Sequence, residues 1–280
     1  MDSLPAQVTF RFDAELNDFL PARWRGVAFA YGYKGAQSVK HLIEAIGVPH
    51  PEVEFILVDG RPAGFDYQPR DGEHIAVYPA TSDLAGKGLP ALRPPPPDPI
   101  AFLADNHLGR LARYLRLLGF DTAYGRDLED DALAEHSRDE NRVLLTRDRG
   151  LLKRSLVQFG YCLRSMDADE QLIAVLKRYR LFDRIEPWRR CLRCNGLLEA
   201  ALKLCQQWME HFPADDPERR NLVCLQMSLG YLINGGQPSP LDMSNIRALL
   251  CSNCRRINAA QGKCSGRPLN RCPLLDGSQP

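Results

Sequence analysis

The stretch Pro90-Ala91-Leu92-Arg93-Pro94-Pro95-Pro96-Pro97-Asp98-Pro99 constrains this chain more than any other feature. Four successive prolines offer no N–H to a helix or a central strand, and each fixes φ, so the segment favours a stiff polyproline II spacer. Ser82 to Gly88 ahead of it is small and polar, and residues 81–98 together read as a linker. A chain of 280 residues has room for two domains or for one with appendages. The break therefore sets residues 1–80 apart from everything after residue 98.

Before the break, Val8, Phe10 and Phe12 alternate with Thr9 and Arg11, the period of a half-buried strand. A second short strand is expected around Val27 to Tyr31. Ser38 caps a helix whose Val39, Leu42, Ile43 and Ile46 share one face, and Gly47 ends it. Phe55 to Val58 reads as a strand, Asp59-Gly60 as a tight turn and Ile75 to Tyr78 as a last strand. The order β-β-α-β-β resembles the β-grasp (ubiquitin-like) fold and, more narrowly, the sulfur-carrier proteins of thiamine and molybdopterin biosynthesis. Those carriers act through a free C-terminal Gly-Gly, whereas here Val77-Tyr78-Pro79 runs on into Ala80 and the linker. Sulfur transfer is thereby disfavoured. A binding or scaffolding role, with a protein partner docked on this domain, is the expectation.

After the break, strands and helices alternate, which predicts a parallel sheet covered by helices. Ile100 to Ala104 is a short apolar strand, and Leu108, Leu111, Ala112, Leu115 and Leu118 mark a helix that stops at Gly119. Further helices are expected over 131–140, 151–157 and 170–180, with strands at Val143 to Leu145 and Tyr161 to Leu163. Two of these strands run directly toward an aspartate, Asp105 after the first and Asp148 after Val143-Leu144-Leu145-Thr146-Arg147. In open parallel sheets ligands bind at the carboxyl ends of strands. Asp130, at the start of the helix feeding the second strand, belongs to the same edge. Three carboxylates in one cleft repel one another unless a cation lies between them, and hard oxygen donors suit Mg²⁺ or Mn²⁺. Such an ion activates water and neutralises charge on a phosphate. Plainer readings stand beside this one: a turn for Asp105, a helix N-cap for Asp130, and pairing with Arg147 or Arg149 for Asp148.

The run Phe102-Leu103-Ala104-Asp105-Asn106-His107-Leu108-Gly109-Arg110-Leu111-Ala112-Arg113-Tyr114-Leu115-Arg116-Leu117-Leu118-Gly119-Phe120-Asp121 closely resembles the opening of the Mut-seven C-terminal RNase family, a branch of the PIN-like nucleases. Val143-Leu144-Leu145-Thr146-Arg147-Asp148-Arg149 is similar to its second signature, with Asp130-Asp131-Ala132-Leu133 between. The resemblance covers about 100–195. It implies a PIN-like α/β fold, RNA as substrate, and Asp105, Asp130 and Asp148 as catalytic metal ligands with Thr146 and Arg147 beside them. Asp127 or Asp167 would supply a fourth acid.

Arg110, Arg113 and Arg116 recur every three residues on the helix leaving Asp105. Such spacing can meet successive phosphates of one strand, although charged rows are also usual on solvated helix faces. Arg110 and Arg113 are the better candidates for the substrate backbone, and Arg164 is a further one. His107 is expected to shape the loop rather than to act as a base.

Nine cysteines, an odd number, fit metal binding better than a disulfide framework. Cys191-Leu192-Arg193-Cys194-Asn195-Gly196 reads as a zinc knuckle, and Cys251-Ser252-Asn253-Cys254 supplies a second pair. Four thiolates leave no open position, so this Zn²⁺ would be structural. Residues 99–186 are thus read as the nuclease domain and 187–280 as a zinc-binding segment. Helix-like stretches at 199–211 and 219–233 interrupt that segment, and Cys264 and Cys272 carry no assignment. Arg189, Arg190, Arg193, Arg255 and Arg256 would present charge to RNA. Cys162, Cys205 and Cys224 sit singly in apolar stretches and read as core.

Lys plus Arg is 36 against 35 for Asp plus Glu, so the net charge of +1 decides nothing about nucleic acid. No apolar run nears the roughly 20 residues that cross a bilayer. Met1 to Pro5 lacks the layout of a signal peptide, so a cytoplasmic protein is expected. The reading is a metal-dependent endoribonuclease, or else a non-catalytic RNA-binding adaptor docked through its β-grasp domain.

Overall fold

In the computed structural model, residues 6–82, 84, 88–186 and 189–198 are described. They fall into two compact units, residues 6–108 with 125–180 and residues 109–124 with 181–198. The helices expected at 199–211 and 219–233, the pair Cys251 and Cys254, and Cys205, Cys224, Cys264, Cys272, Arg255 and Arg256 lie outside the described residues.

The first unit opens with a five-stranded mixed sheet. Its strands are β1 (Ala6–Phe12), β2 (Phe29–Tyr33), β3 (Val53–Val58), β4 (Arg61–Pro62) and β5 (His74–Pro79), in the order β2-β1-β5-β3-β4. β1 and β5 run parallel in the middle, and their neighbours pair antiparallel. This is the β-grasp fold. The alternation read in β1 holds, since Val8, Phe10 and Phe12 are all buried. Helix α1 (Val39–Ile46) buries the four apolar residues expected of it, Val39, Leu42, Ile43 and Ile46. The Ser38 hydroxyl accepts from the His41 amide at 3.3 Å, and Gly47 closes the helix at φ +123°, a conformation that costs a side chain dearly. β2 starts two residues later than its sequence suggests because the chain first turns at Gly26, φ +70°.

Three parallel strands follow in the same unit: β6 (Ala101–Ala104), β8 (Val143–Thr146) and β9 (Gly160–Cys162), with β8 between the other two. Every residue of β8 is buried, the mark of a strand covered on both faces. Helices α3 (Asp130–Asp139), α4 (Arg149–Leu152) and α5 (Ala168–Arg178) flank them in the PIN-like α/β manner. The helix expected over 151–157 is a single turn begun earlier. The Asp148 carboxylate caps it by accepting from Gly150 N and Leu151 N, and it is over by Lys153.

The two sheets of this unit are tied by side chains, and the proline segment is part of the tie. Leu92 N donates to Glu54 O at 3.0 Å. Arg93 reaches Val53 O at 2.9 Å and Glu54 Oε2 at 3.1 Å on one side, and Gln158 O at 3.2 Å on the other. His50, 6% exposed, bonds Glu44 Oε1 at 2.7 Å and Val157 O at 2.9 Å. Glu52, fully buried in a 3-10 turn, accepts from the Cys162 amide at 2.6 Å and so caps β9 at the edge of its sheet. A stretch expected to hold two domains apart instead lies pinned, because Arg93 finds backbone carbonyls from both.

The second unit contains α2 (Gly109–Leu117), β7 (Asp121–Tyr124) and the turn carrying Cys191 and Cys194. β7 was not expected from the sequence. Between α2 and β7, Gly119 has φ +95°, and a Cβ there would lie 2.2 Å from Glu186 O. Gly119→Ala is therefore expected to cost about 2 kcal/mol or more, read as a lower melting temperature of the full chain.

Candidate active site

Asp105 directly follows β6, and its amide continues the ladder by donating to Leu145 O at 3.1 Å. The residue is 4% exposed. Oδ1 accepts from the His107 amide at 2.7 Å, and Oδ2 accepts from the Thr146 hydroxyl. Thr146, the last residue of β8 and fully buried, in turn accepts from the Asp148 amide at 2.9 Å. One hydroxyl therefore links the residues at the ends of two adjacent parallel strands, Asp105 and Asp148. His107 serves the loop through its backbone amide, while its side chain is exposed.

Asp130 is placed differently. It is the first residue of α3, with Glu129 as the N-cap, and its Oδ2 lies 3.7 Å from Arg154 Nη2. Arg154 also pairs with Asp131. Among the described residues, no three His, Cys, Asp or Glu side chains form a group able to hold a metal ion. The geometry thus joins Asp105 and Asp148 through Thr146 and leaves Asp130 on an arginine. Of the two further acids considered, Asp167 caps α5 by accepting from Asp169 N and Glu170 N, and Asp127 is exposed in the loop before α3.

A cleft of about 480 Å³ opens at the carboxyl ends of β8 and β9, lined by Asp18, Arg25, Arg147, Arg149, Cys162, Leu163 and Arg164. Arg147 and Arg149 flank Asp148 in the chain. Arg164 pairs with Asp18 Oδ2 at 3.1 Å and donates to Glu15 O at 3.2 Å. Arg25 and Asp18 were not singled out from the sequence, and Arg149 was read only as a pairing partner for Asp148. Arg149 was within reach, being next to Asp148, whereas Arg25 and Asp18 are distant in the chain and carry no local signal. Cys162 is the core thiol expected: burial, and then the Glu52 charge, push it up to about 11.

In the second unit, Arg110 Nε donates to Tyr114 Oη at 2.8 Å and its guanidinium stacks over that ring, while Arg113 is exposed. Arg116, third in the stripe, is 5% exposed and points inward, donating to Thr122 O at 2.8 Å, Leu192 O at 3.1 Å and Arg193 O at 2.9 Å. It is a structural residue that holds the cysteine turn. In that turn Cys191 N donates to Gly196 O at 2.8 Å and Asn195 N to Cys191 O at 2.9 Å, with Asn195 at φ +67°. A hydrogen bond from Cys194 outweighs burial and holds the Cys191 thiol down at about 6. Asn195 also accepts from Thr122 N and donates to Asp121, which fixes the turn on β7.

No helix among the described residues is long and apolar enough to cross a membrane. Comparison with curated proteins and with solved structures gives no match. Comparison with protein-family models gives two: residues 5–85 match the family described as Mut7-C ubiquitin, and residues 100–219 match the Mut7-C RNAse domain. The sheet order of the first region and the parallel strands of the second agree with that pairing, and the chain is thus a Mut7-C ubiquitin-like domain followed by a Mut7-C RNAse domain.

Proposed function

We propose that this chain is a metal-dependent endoribonuclease of the PIN-like kind, with its chemistry centred on Asp105 and Asp148. The observation that carries the reading is the Asp105–Thr146–Asp148 chain at the carboxyl edge of a parallel sheet. Asp105 is buried and, among the described residues, no cationic side chain pairs with it. A buried carboxylate without a counter-charge is costly, and hard oxygens at a strand edge suit Mg²⁺ or Mn²⁺. The donor set fits such an ion in part. Asp105 and Asp148 would hold it, and Asp130 would join them on leaving Arg154. The ion, when bound, supplies activated water and neutralises charge on the phosphate. Thr146 would orient the Asp105 carboxylate through its hydroxyl and hold the Asp148 backbone, rather than touch substrate. Arg147 and Arg164 at the cleft, with Arg110 and Arg113 on α2, would meet the RNA backbone.

The test is incubation of the purified full chain with labelled single-stranded RNA in Mn²⁺ or Mg²⁺, and again with a chelator. Cleavage that chelation abolishes supports the enzyme. RNA binding with no cleavage under any metal supports the adaptor instead.

The two-residue spacing of Cys191 and Cys194 suits half of a tetrahedral thiolate site. A structural Zn²⁺ would be completed there by Cys251 and Cys254. About one zinc per chain is expected by elemental analysis, and Cys191→Ser is expected to lose it. Full zinc retention in that variant would move the site elsewhere in the chain.

A further inference from the structure

The β-grasp domain contributes directly to the cleft beside Asp148, and that contribution defines a binding surface. The 3-10 turn Ala14–Phe19 presents the Phe19 ring, which is 4% exposed. Arg149 and Arg164 both stack on it, their guanidinium carbons 5.0 Å and 4.7 Å from its centre. The Phe19 carbonyl also accepts from Arg149 Nη1 at 3.2 Å. Two arginines of the RNAse domain are thus aimed by one residue of the ubiquitin-like domain. That domain adds a third, Arg25, whose Nε donates to Leu20 O at 2.9 Å and so fixes the guanidinium plane. With Arg147 the cleft gathers four guanidinium groups against one carboxylate, Asp18. Among the described residues, no acidic side chain pairs with Arg25, Arg147 or Arg149.

Four like charges around one small cleft repel one another, and an anion relieves that repulsion. Its volume of about 480 Å³ falls within the roughly 300–1,000 Å³ of small-ligand pockets. Guanidinium forks match the oxygens of a phosphodiester.

We propose that the ubiquitin-like domain is half of the RNA-binding surface: Arg25, with Arg147, Arg149 and Arg164 around Phe19, grips backbone phosphates of the strand that runs past Asp105 and Asp148. Arg25 is the substrate-binding residue and Phe19 a positioning residue. The proposal rests on the nuclease reading only for where the strand goes next. Binding in the cleft is measurable without cleavage.

The experiment uses the full chain in chelator, with fluorescence anisotropy of a labelled single-stranded RNA over a salt series. Arg25→Ala is expected to weaken binding about 5- to 10-fold and to lower the slope of log Kd against log salt by about 0.7. Arg25→Glu is expected to weaken it further, and Arg25→Lys to recover part of the loss. Arg23→Ala, on the same turn but outside the cleft, is expected to bind as the wild type does. Wild-type affinity and salt slope in both Arg25→Ala and Arg25→Glu overturn the proposal, whether or not the protein cleaves RNA. Loss of binding in those variants of a protein that cleaves nothing keeps the proposal and removes the nuclease. A labelled poly-glutamate peptide bound as tightly as RNA, and lost equally in Arg25→Glu, overturns the assignment to a phosphodiester strand.

Discussion

Asp105→Asn is expected to lower RNA cleavage by at least roughly 100-fold, since loss of outer partners of a metal site alone costs 10- to 100-fold. The substitution keeps size and burial. The Asn carbonyl oxygen can still accept from the His107 amide, as Asp105 Oδ1 does. The amide nitrogen, however, meets the Thr146 hydroxyl as a donor where Asp105 Oδ2 was an acceptor. Thr146 already accepts from Asp148 N, so its own proton loses a partner, at a cost of about 1 kcal/mol. Removal of a buried charge offsets part of that. The melting temperature should therefore hardly move while the cleavage rate falls. Single-turnover cleavage in Mn²⁺ beside a thermal melt separates the two effects. Cleavage by Asp105→Asn at the wild-type rate would remove Asp105 from the chemistry.

Glu52→Ala should be the most damaging change in the contact between the two sheets. It strips the acceptor from a buried amide, Cys162 N, at the edge of β9. It also removes one of the acidic groups that hold Arg178 cationic against its burial, Tyr179 being the other main one. A loss of about 3 kcal/mol is expected, or roughly 6–12 °C in melting temperature for a unit of this size. Glu52→Gln keeps a carbonyl acceptor for Cys162 N, and the second Glu52 oxygen has no hydrogen-bond partner among the described residues to lose. It should cost far less.

The pair also differ from the wild type in pH dependence. Burial raises the Glu52 pKa, against the opposing pull of Arg178, the Cys162 amide and Arg164, and with a smaller upward push from Glu15. The folded protein then holds this proton more tightly than the unfolded chain does. The associated stability is complete below the ordinary value of 4.5 and drains away as pH rises through the raised one. Melts from pH 4 upward should show that loss in the wild type and a flatter profile in Glu52→Gln. A parallel pair of profiles would mean that Glu52 ionises without consequence for the fold.

What the sequence reveals and what it hides divide along physical lines. β1, α1 with its Ser38 cap and Gly47 stop, and the strand ends at Asp105 and Asp148 are all legible, because periodicity, capping and turn chemistry act over a few residues. β7 is too short and too polar to announce itself after Gly119. Arg116 looks like a third surface arginine until its place under the cysteine turn is seen, since helical spacing gives a position on the face and not its depth. Asp130 is legible as a residue at the sheet edge, but its engagement by Arg154 depends on a side chain 24 positions on. Phe19 and Arg25 beside the RNAse strands are long-range facts with no local trace.

The anchoring of Leu92 and Arg93 has a mechanical consequence. A protease cut within the proline stretch would sever the covalent path between the halves without parting them, since Glu52, His50 and Arg164 still clasp across the break. The segment acts as a rivet, not a tether, and the freedom usual for tandem modules on a string is denied to this pair.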